Sequence, residues 1–141
     1  DINDLQYRHG RPGLRVSART QFANDLLAVE LADRYRNTAV EVTCVFPGVV
    51  RSDLFRHATG VPRPLRVMLT TLAGRFGLPL DVAADTPAWL ATSPQASGLS
   101  GSFVGPHRKL RTVPDRARRP DRRKALWDAS EALTAEWMAP D

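Results

Sequence analysis

The run Ala39–Phe46, AVEVTCVF, constrains the fold of this chain more than any other stretch of the sequence. It is rich in β-branched residues, its apolar and polar residues alternate at the start, and Pro47–Gly48 ends it abruptly, so it predicts a β-strand. A long helical pattern over residues 17–37 comes directly before it. A helix joined to a strand by a short connection is half of a βαβ unit, which predicts an α/β fold with a parallel sheet.

The helix predicted over residues 17–37 carries two neighbouring apolar stripes. Ser17 and Thr20 are the candidate N-cap residues. A stripe this wide is typical of a helix that is covered on two sides, because a surface helix needs only one apolar seam. The stripes consist of Phe22, Leu26 and Val29 on one line and of Ala23, Leu27 and Leu31 on the other.

The whole chain predicts one domain over residues 1–141, with two strands and about four helices. Residues 1–16 contain Gly and Pro without a clear period and predict a loop. The other predicted elements are helices over 64–76 and 81–92, a short strand over 102–104, and a last helix capped by Asp121 and running to about Met138. A parallel strand that is buried on both faces needs a neighbour on each side, and two strands are too few to form that sheet.

Composition narrows the class of protein. The chain has 141 residues, a net charge of +5 and one cysteine, Cys44, so it predicts no internal disulfide and a buried, inert thiol. It has no apolar run long enough to span a bilayer and no visible signal peptide, so we expect a cytoplasmic protein without a membrane partner. Because Asp1 is not Met, we expect that residues upstream were removed or omitted.

Nine of the 20 Lys and Arg residues lie between Arg108 and Lys124. Such a cluster can bind nucleic acid, but this one has no aromatic residue to stack on bases, and two aspartates interrupt it. A solvated basic surface is therefore the favoured interpretation. The three histidines are far apart in sequence and predict no metal site.

Five blocks of the sequence together resemble the C-terminal half of a short-chain dehydrogenase/reductase, particularly the retinol dehydrogenase branch. They follow the order and spacing of that family over nearly the whole chain. The resemblance implies a doubly wound Rossmann sheet, in which 39–46 would be the sixth strand and 102–104 the seventh. The first five strands and the glycine-rich phosphate loop would come from a partner chain or a missing N-terminal half. The blocks are LRVSARTQFANDLLAVELADRY, VEVTCVFPGVVRSDLF, TPAWLATSP, GLSGSFV and LWDASEALT.

The catalytic pair of that family is absent. The family tyrosine stands four residues before its lysine on one helix face. The tyrosine donates a proton to the carbonyl, and the lysine lowers the pKa of the tyrosine. By resemblance, Ser17 and Gln21 occupy these positions, and no Y-x-x-x-K motif exists elsewhere. A neutral Gln cannot shift a pKa by charge, so the resemblance implies a degenerate site. Tyr7 and His9 are weak candidates as substitutes, because exposed loop side chains explain them better.

The segment PGVVRSD, residues 47–53, is closer to the family pattern than the positions of the catalytic pair are. Its counterpart passes the nicotinamide ring, so the resemblance implies cofactor contacts at Pro47, Gly48, Val50 and Ser52, with the hydroxyl of Ser52 retained. NAD or NADP would then bind only together with a partner that supplies the glycine-rich loop. The alternative is that Pro47–Gly48 simply ends a strand.

Residues 53–80 correspond to the variable lid that covers the substrate in this family. Leu54, Phe55 and Met68 are candidates for the wall of a substrate pocket, although an ordinary place in a helix core explains each of them equally well. Residues 81–141 would hold the last helices and the short last strand.

Two functional hypotheses remain open. In the first, the chain completes an NAD(P)-binding fold with a partner chain in small-molecule biosynthesis, as an oxidoreductase-family subunit or a repurposed dehydratase- or cyclase-type subunit. In the second, it is a non-catalytic structural or regulatory subunit of such a heteromer. Both predict that the chain alone is insoluble or oligomeric, because an unpaired strand edge promotes aggregation.

Overall fold

The fold has the α/β class that the sequence predicts. The computed structural model describes residues 4–10 and 13–138, without the side chains of Glu136 and Met138. Parts of the predicted 1–16 loop (residues 1–3, 11 and 12) and the last three residues lie outside this range. The described elements, in chain order, are α1 (Leu14–Arg34), β1 (Cys44–Val45), α2 (Arg63–Phe76), α3 (Leu80–Thr92), β2 (Phe103–Val104), β3 (Leu110–Arg111) and α4 (Pro120–Met138).

The three strands form one mixed sheet in the order β1-β2-β3. β1 and β2 are parallel, with Cys44 opposite Phe103 and Val45 opposite Val104. The third strand, β3, pairs antiparallel with β2. The sequence predicted two strands, and β3 is a third that it did not predict. This strand has only two residues, and the polar segment around it shows no alternation of apolar and polar residues.

The predicted strand over 39–46 is reduced to Cys44–Val45 in the structure. Its backbone pairs on one side only, where the Cys44 and Phe46 amides donate to Ser102 and Val104 at 3.0 and 2.9 Å. Upstream, Val42 bonds to a turn, since its carbonyl accepts from the Gly101 amide at 2.8 Å. A ladder needs a facing strand, and the described residues provide one on only one side of β1.

Helix α1 begins and ends three residues earlier than the pattern predicts. The N-cap is Gly13, at φ 138°, and it makes no side-chain cap bond. A Cβ at this position would lie 3.0 Å from the Gly60 carbonyl oxygen, so close approach of the two loops favours glycine there. Ser17 and Thr20 therefore lie inside the helix, where the Thr20 hydroxyl donates to the Val16 carbonyl at 3.0 Å.

α2 and α3 agree with the predictions to within a residue at each end, whereas α4 begins two residues before the start that a cap at Asp121 predicts. α4 begins at Pro120, so Asp121 lies in its first turn and is not the cap. Proline suits this first position because its missing N–H would have had no helical partner. No helix in the described part of the chain is long and apolar enough to cross a membrane.

The core lies where α1 packs on α4 and on the sheet. Leu26 and Ala32 of α1, Leu126 of α4 and both residues of β2 are buried. Burial of such apolar side chains stabilises a fold by roughly 1.5–3 kcal/mol for each large residue. Gln21 and Asp25 of α1 lie near Cys44 of β1 and Phe103 of β2.

Candidate functional site

Ser17 and Gln21 lie one helical turn apart on α1, and both are exposed. They therefore share a face, as the four-residue spacing predicts. The Gln21 amide nitrogen donates to the Asp25 carboxylate at 3.2 Å, one turn further along the helix. This bond gives the side chain of Gln21 a preferred direction. The assignment of Ser17 and Gln21 to the catalytic positions of the family stays a prediction.

Asp25 is a buried carboxylate that the sequence analysis missed. It is 5% exposed. Besides Gln21, its second partner is Arg116. The Arg116 Nη2 atom lies 3.6 Å from Asp25 Oδ2, a distance that is too long for a hydrogen bond but short enough for an ion pair. A buried charge needs such partners. The sequence does contain one indication that Asp25 is buried. The residue lies three positions after Phe22 and four before Val29, on the apolar stripe of the helix.

A cavity of about 200 Å³ lies between this part of α1 and the ends of the strands. Gln21, Asp25, Cys44, Phe46 and Arg116 are among the residues that line it. Burial, followed by the charge of Asp25, raises the pKa of the Cys44 thiol. The thiol is half-buried and free, and a raised pKa disfavours the reactive thiolate. This agrees with the interpretation of Cys44 as an inert residue.

The turn after β1 is fixed by its packing. Gly48 has φ 82°, and a Cβ there would lie 3.2 Å from both Leu78 and Pro106. The Val49 carbonyl accepts from the Leu78 amide, and the Arg51 amide donates to the Leu78 carbonyl, at 2.8 and 2.9 Å. These bonds hold the turn against the end of α2.

Val50 and Ser52 keep groups that a ligand could contact. Val50 lies opposite Leu78 in a parallel bridge, and the two hydrogen bonds of this bridge are made by Val49 and Arg51. The N–H and C=O groups of Val50 itself therefore point away from Leu78. Ser52 is exposed. Five cavities in the described part of the chain are lined by other residues than Pro47, Gly48, Val50 and Ser52. The predicted cofactor contacts stay predictions.

The proposed pocket residues lie at the surface. Leu54 is 70% exposed, Met68 is also exposed, and Phe55 is half-buried. Tyr7 and His9 line a hollow of about 550 Å³, together with residues from the stretches 13–15 and 60–65. Ser17 is not part of that hollow. Tyr7 also packs on α1, since the Arg19 guanidinium lies 4.7 Å from the centre of its ring. The role of Tyr7 or His9 as a substitute stays a prediction.

Several arginines of the basic segment 108–124 are paired with acids. Arg108 makes two bonds to Asp85 at 2.9 and 2.7 Å, and Arg119 pairs with Asp121. The hydrogen bond from Arg108 lowers the pKa of the Asp85 carboxyl. Such pairing favours the interpretation as a solvated surface, because a nucleic-acid site offers unpaired cations to phosphates. In residues 4–10 and 13–138, no three His, Cys, Asp or Glu residues come together as metal ligands.

A parallel strand pair preceded by a long helix and followed by a Pro-Gly turn is part of a Rossmann-type α/β fold. Comparison with curated proteins defines the family. The chain is 33% identical to retinol dehydrogenase 14 of Homo sapiens over 82% of its length. It is 37% identical to dehydrogenase/reductase SDR family member 13 of Homo sapiens over 87%, and 30% identical to a short-chain dehydrogenase/reductase of Armillaria gallica over 84%.

The chain is therefore a relative of the short-chain dehydrogenases/reductases, as its sequence blocks predict. The alignments cover 34%, 32% and 36% of these three relatives, so the chain spans about a third of the length of the curated relatives that it matches. No family model matches the chain, and no solved structure matches it significantly.

Proposed function

We propose that this chain forms the C-terminal part of an NAD(P)-binding Rossmann domain, and that polypeptide outside these 141 residues completes the sheet. The completing polypeptide would supply the remaining strands and the glycine-rich loop, either as a partner chain or as an N-terminal half. The assembled domain would act on a small molecule in biosynthesis. Its relationship to retinol dehydrogenases places it among oxidoreductase-type proteins, and the loss of the acid–base pair favours a repurposed, dehydratase- or cyclase-type reaction.

The observation that carries this proposal is the open edge of β1. The strand pairs with β2 on one side, and no other strand of the described residues pairs with it. Backbone groups of a strand alternate in direction, so the N–H and C=O groups of Thr43 and Val45 face the open side. β2 is paired on both sides, with β1 and with β3, and β3 forms the other edge of the sheet. An edge that carries unpaired donors and acceptors is a template for a further strand.

The turn after β1 fits a nicotinamide cofactor. In open α/β sheets, ligands bind beyond the carboxyl ends of the strands, and Pro47 lies two residues after the end of β1 at Val45. The outward N–H and C=O of Val50 could pair with a carboxamide, and the exposed hydroxyl of Ser52 lies two residues further on. When bound, NAD(P) would supply a hydride donor or acceptor, and this chain would hold its nicotinamide end.

The chemistry at the helix face would differ from carbonyl reduction. Ser17 has no acidic proton near neutral pH, and Gln21 carries no charge, so this pair cannot replace a positioned proton donor worth roughly 10²–10⁴-fold in rate. We therefore expect Ser17→Ala and Gln21→Ala to leave the turnover of the full protein within about threefold of the unmodified protein. Loss of turnover in either variant would assign chemistry to these positions.

The experiment that tests the proposal is a titration of the full protein with NADH and with NADPH. Ser52→Glu places a carboxylate where a cofactor contact is expected, and it should weaken binding by about tenfold, or 1.4 kcal/mol. Thr71→Glu is the matched control, since Thr71 is also exposed but lies on α2. Equal affinities for the two variants and the unmodified protein would contradict a cofactor contact at this turn.

The second candidate function is a non-catalytic structural subunit of a similar heteromer. The observation in its favour is that Gly48 packs against Leu78 and Pro106, which leaves little room beside the turn at this residue. Such a subunit would complete the sheet of its partner without binding NADH or NADPH. The absence of binding at millimolar cofactor in the full protein would support it.

A further inference from the structure

The cavity of about 200 Å³ beside α1 has a buried floor and a charged rim. Cys44, Phe103 and Arg111 lie opposite one another on the three strands, so their side chains project from the same face of the sheet. Phe103 is buried, whereas Arg111 is exposed. Pockets for drug-sized ligands usually measure about 300–1,000 Å³, so this cavity suits a smaller molecule that enters past the arginine side.

Asp25 is the acid of this cavity, and its carboxylate is only partly compensated. Its partners among the described residues are the Gln21 amide at 3.2 Å and Arg116 Nη2 at 3.6 Å. A carboxylate can accept about four hydrogen bonds, and the contact with Arg116 is too long to be one. The Arg116 side chain is 59% exposed, so water weakens its attraction to Asp25. A positively charged donor inside the cavity would therefore complete the partners of Asp25.

Two guanidinium groups at the rim offer donors to a ligand. The Arg111 guanidinium lies 4.6 Å from the centre of the Phe46 ring, and that of Arg116 lies 5.3 Å from the centre of the Phe22 ring. A contact of this kind restrains a guanidinium without satisfying its N–H donors. The ion pairs among the described side chains do not include one with Arg111. Both arginines can therefore bind an anionic group.

We propose that this cavity binds a small acidic α-amino acid, such as aspartate. Its one ammonium and two carboxylates are the complement of the one carboxylate and two guanidinium groups in the cavity wall. The ammonium would donate to Asp25, and each carboxylate would accept from one of the arginines, Arg111 and Arg116. The Phe46 and Phe103 rings would shield these bonds from water, which strengthens them. The cavity is lined by other residues than those of the turn 47–52, so amino-acid binding and cofactor binding can be tested separately.

The test is calorimetric titration of the full protein with L-aspartate, succinate and L-alanine. Succinate is aspartate without its amino group, and L-alanine is aspartate without its side-chain carboxylate. We expect each of them to bind at least about tenfold more weakly than aspartate, because each leaves one charged group of the cavity without a partner. Aspartate should also slow the alkylation of Cys44 by iodoacetamide, because this thiol lies in the wall of the cavity.

Two variants assign the groups of the ligand to the residues that hold them. Asp25→Asn keeps the size of the side chain and removes its charge, so the preference for aspartate over succinate should be lost. Arg111→Gln should instead remove the preference for aspartate over alanine. Arg111 is exposed, so this variant reports on the site even if Asp25→Asn disturbs the fold. Asp121→Asn is the matched control, because Asp121 is an exposed acid that pairs with Arg119, and it should bind all three compounds like the unmodified protein.

Equal affinities for aspartate and succinate in the unmodified protein would overturn the proposal, since the cavity would then be a site for anions only. So would an affinity for aspartate that Asp25→Asn and Arg111→Gln both leave unchanged, because aspartate would then bind elsewhere. The absence of binding at millimolar aspartate, without protection of Cys44, would have the same consequence.

Discussion

The hydroxyl of Thr86 is expected to hold the turn that closes one end of the sheet. Thr86 lies on α3, is 1% exposed, and donates to the Gly105 carbonyl at 3.2 Å while it accepts from the Arg108 amide at 3.1 Å. His107 and Arg108 have φ values of 57° and 59°, which are unfavourable for residues other than glycine. External bonds are therefore needed to hold this turn between β2 and β3.

Thr86→Val keeps the shape of the side chain and removes only the hydroxyl. The Gly105 carbonyl and the Arg108 amide each lose a partner, and a buried unsatisfied group costs about 1–3 kcal/mol. Because the Arg108 side of the site is partly open to water, we expect a total loss of about 2 kcal/mol in the free energy of unfolding. Urea unfolding of the full protein measures this loss. The slope m should be the same in both proteins, so that the shift of the midpoint reports a change in the free energy of unfolding.

The control is Thr92→Val on the same helix. Its hydroxyl donates to the Ala88 carbonyl at 2.8 Å at an exposed position, so its removal should change stability by less than about 0.5 kcal/mol. Equal losses in Thr86→Val and Thr92→Val would refute the reasoning, because the effect would then reflect the helix and not the turn.

Two further predictions concern titratable groups. Asp25→Asn removes the charge that helps to raise the pKa of Cys44, so alkylation of this thiol by iodoacetamide at pH 8 should be faster than in the unmodified protein. Asp85→Asn serves as its control and should leave that rate unchanged. Arg108 lowers the folded-state pKa of Asp85, so this pair stabilises the fold above the ordinary carboxyl pKa and loses that contribution as pH falls through the folded-state value. Urea midpoints of Asp85→Asn and the unmodified protein should therefore differ near neutral pH and converge in acid; a constant difference would contradict this.

The helices could be predicted well because their apolar periods are local. α2 and α3 follow from the sequence to within one residue at each end. The start of α1 could not be predicted in this way. Gly13 caps the helix where it closely approaches Gly60, and Gly60 is far away in sequence. The length of β1 depends on a facing strand, and periodicity alone does not reveal whether one is present.

For the candidate site, the sequence predicts the shared helix face of two residues but not the buried acid beside them. The four-residue spacing correctly placed Ser17 and Gln21 on one helix face. The burial of Asp25 could not be read from composition, because an acid in a helix is usually solvated. Its ion-pair partner Arg116 lies far away in sequence, in a short turn after the sheet. Such pairing is a property of the tertiary fold.

Amide hydrogen exchange at β1 in the full protein tests the central claim most directly. The Cys44 amide is bonded to β2 in the structure, whereas the Val45 amide faces the open edge. If another strand completes the sheet, Val45 should exchange as slowly as Cys44, since both amides are then in a ladder. Rapid exchange at Val45 beside slow exchange at Cys44 would show that the edge stays open in the full protein, and it would contradict the proposal that the chain completes a larger Rossmann sheet.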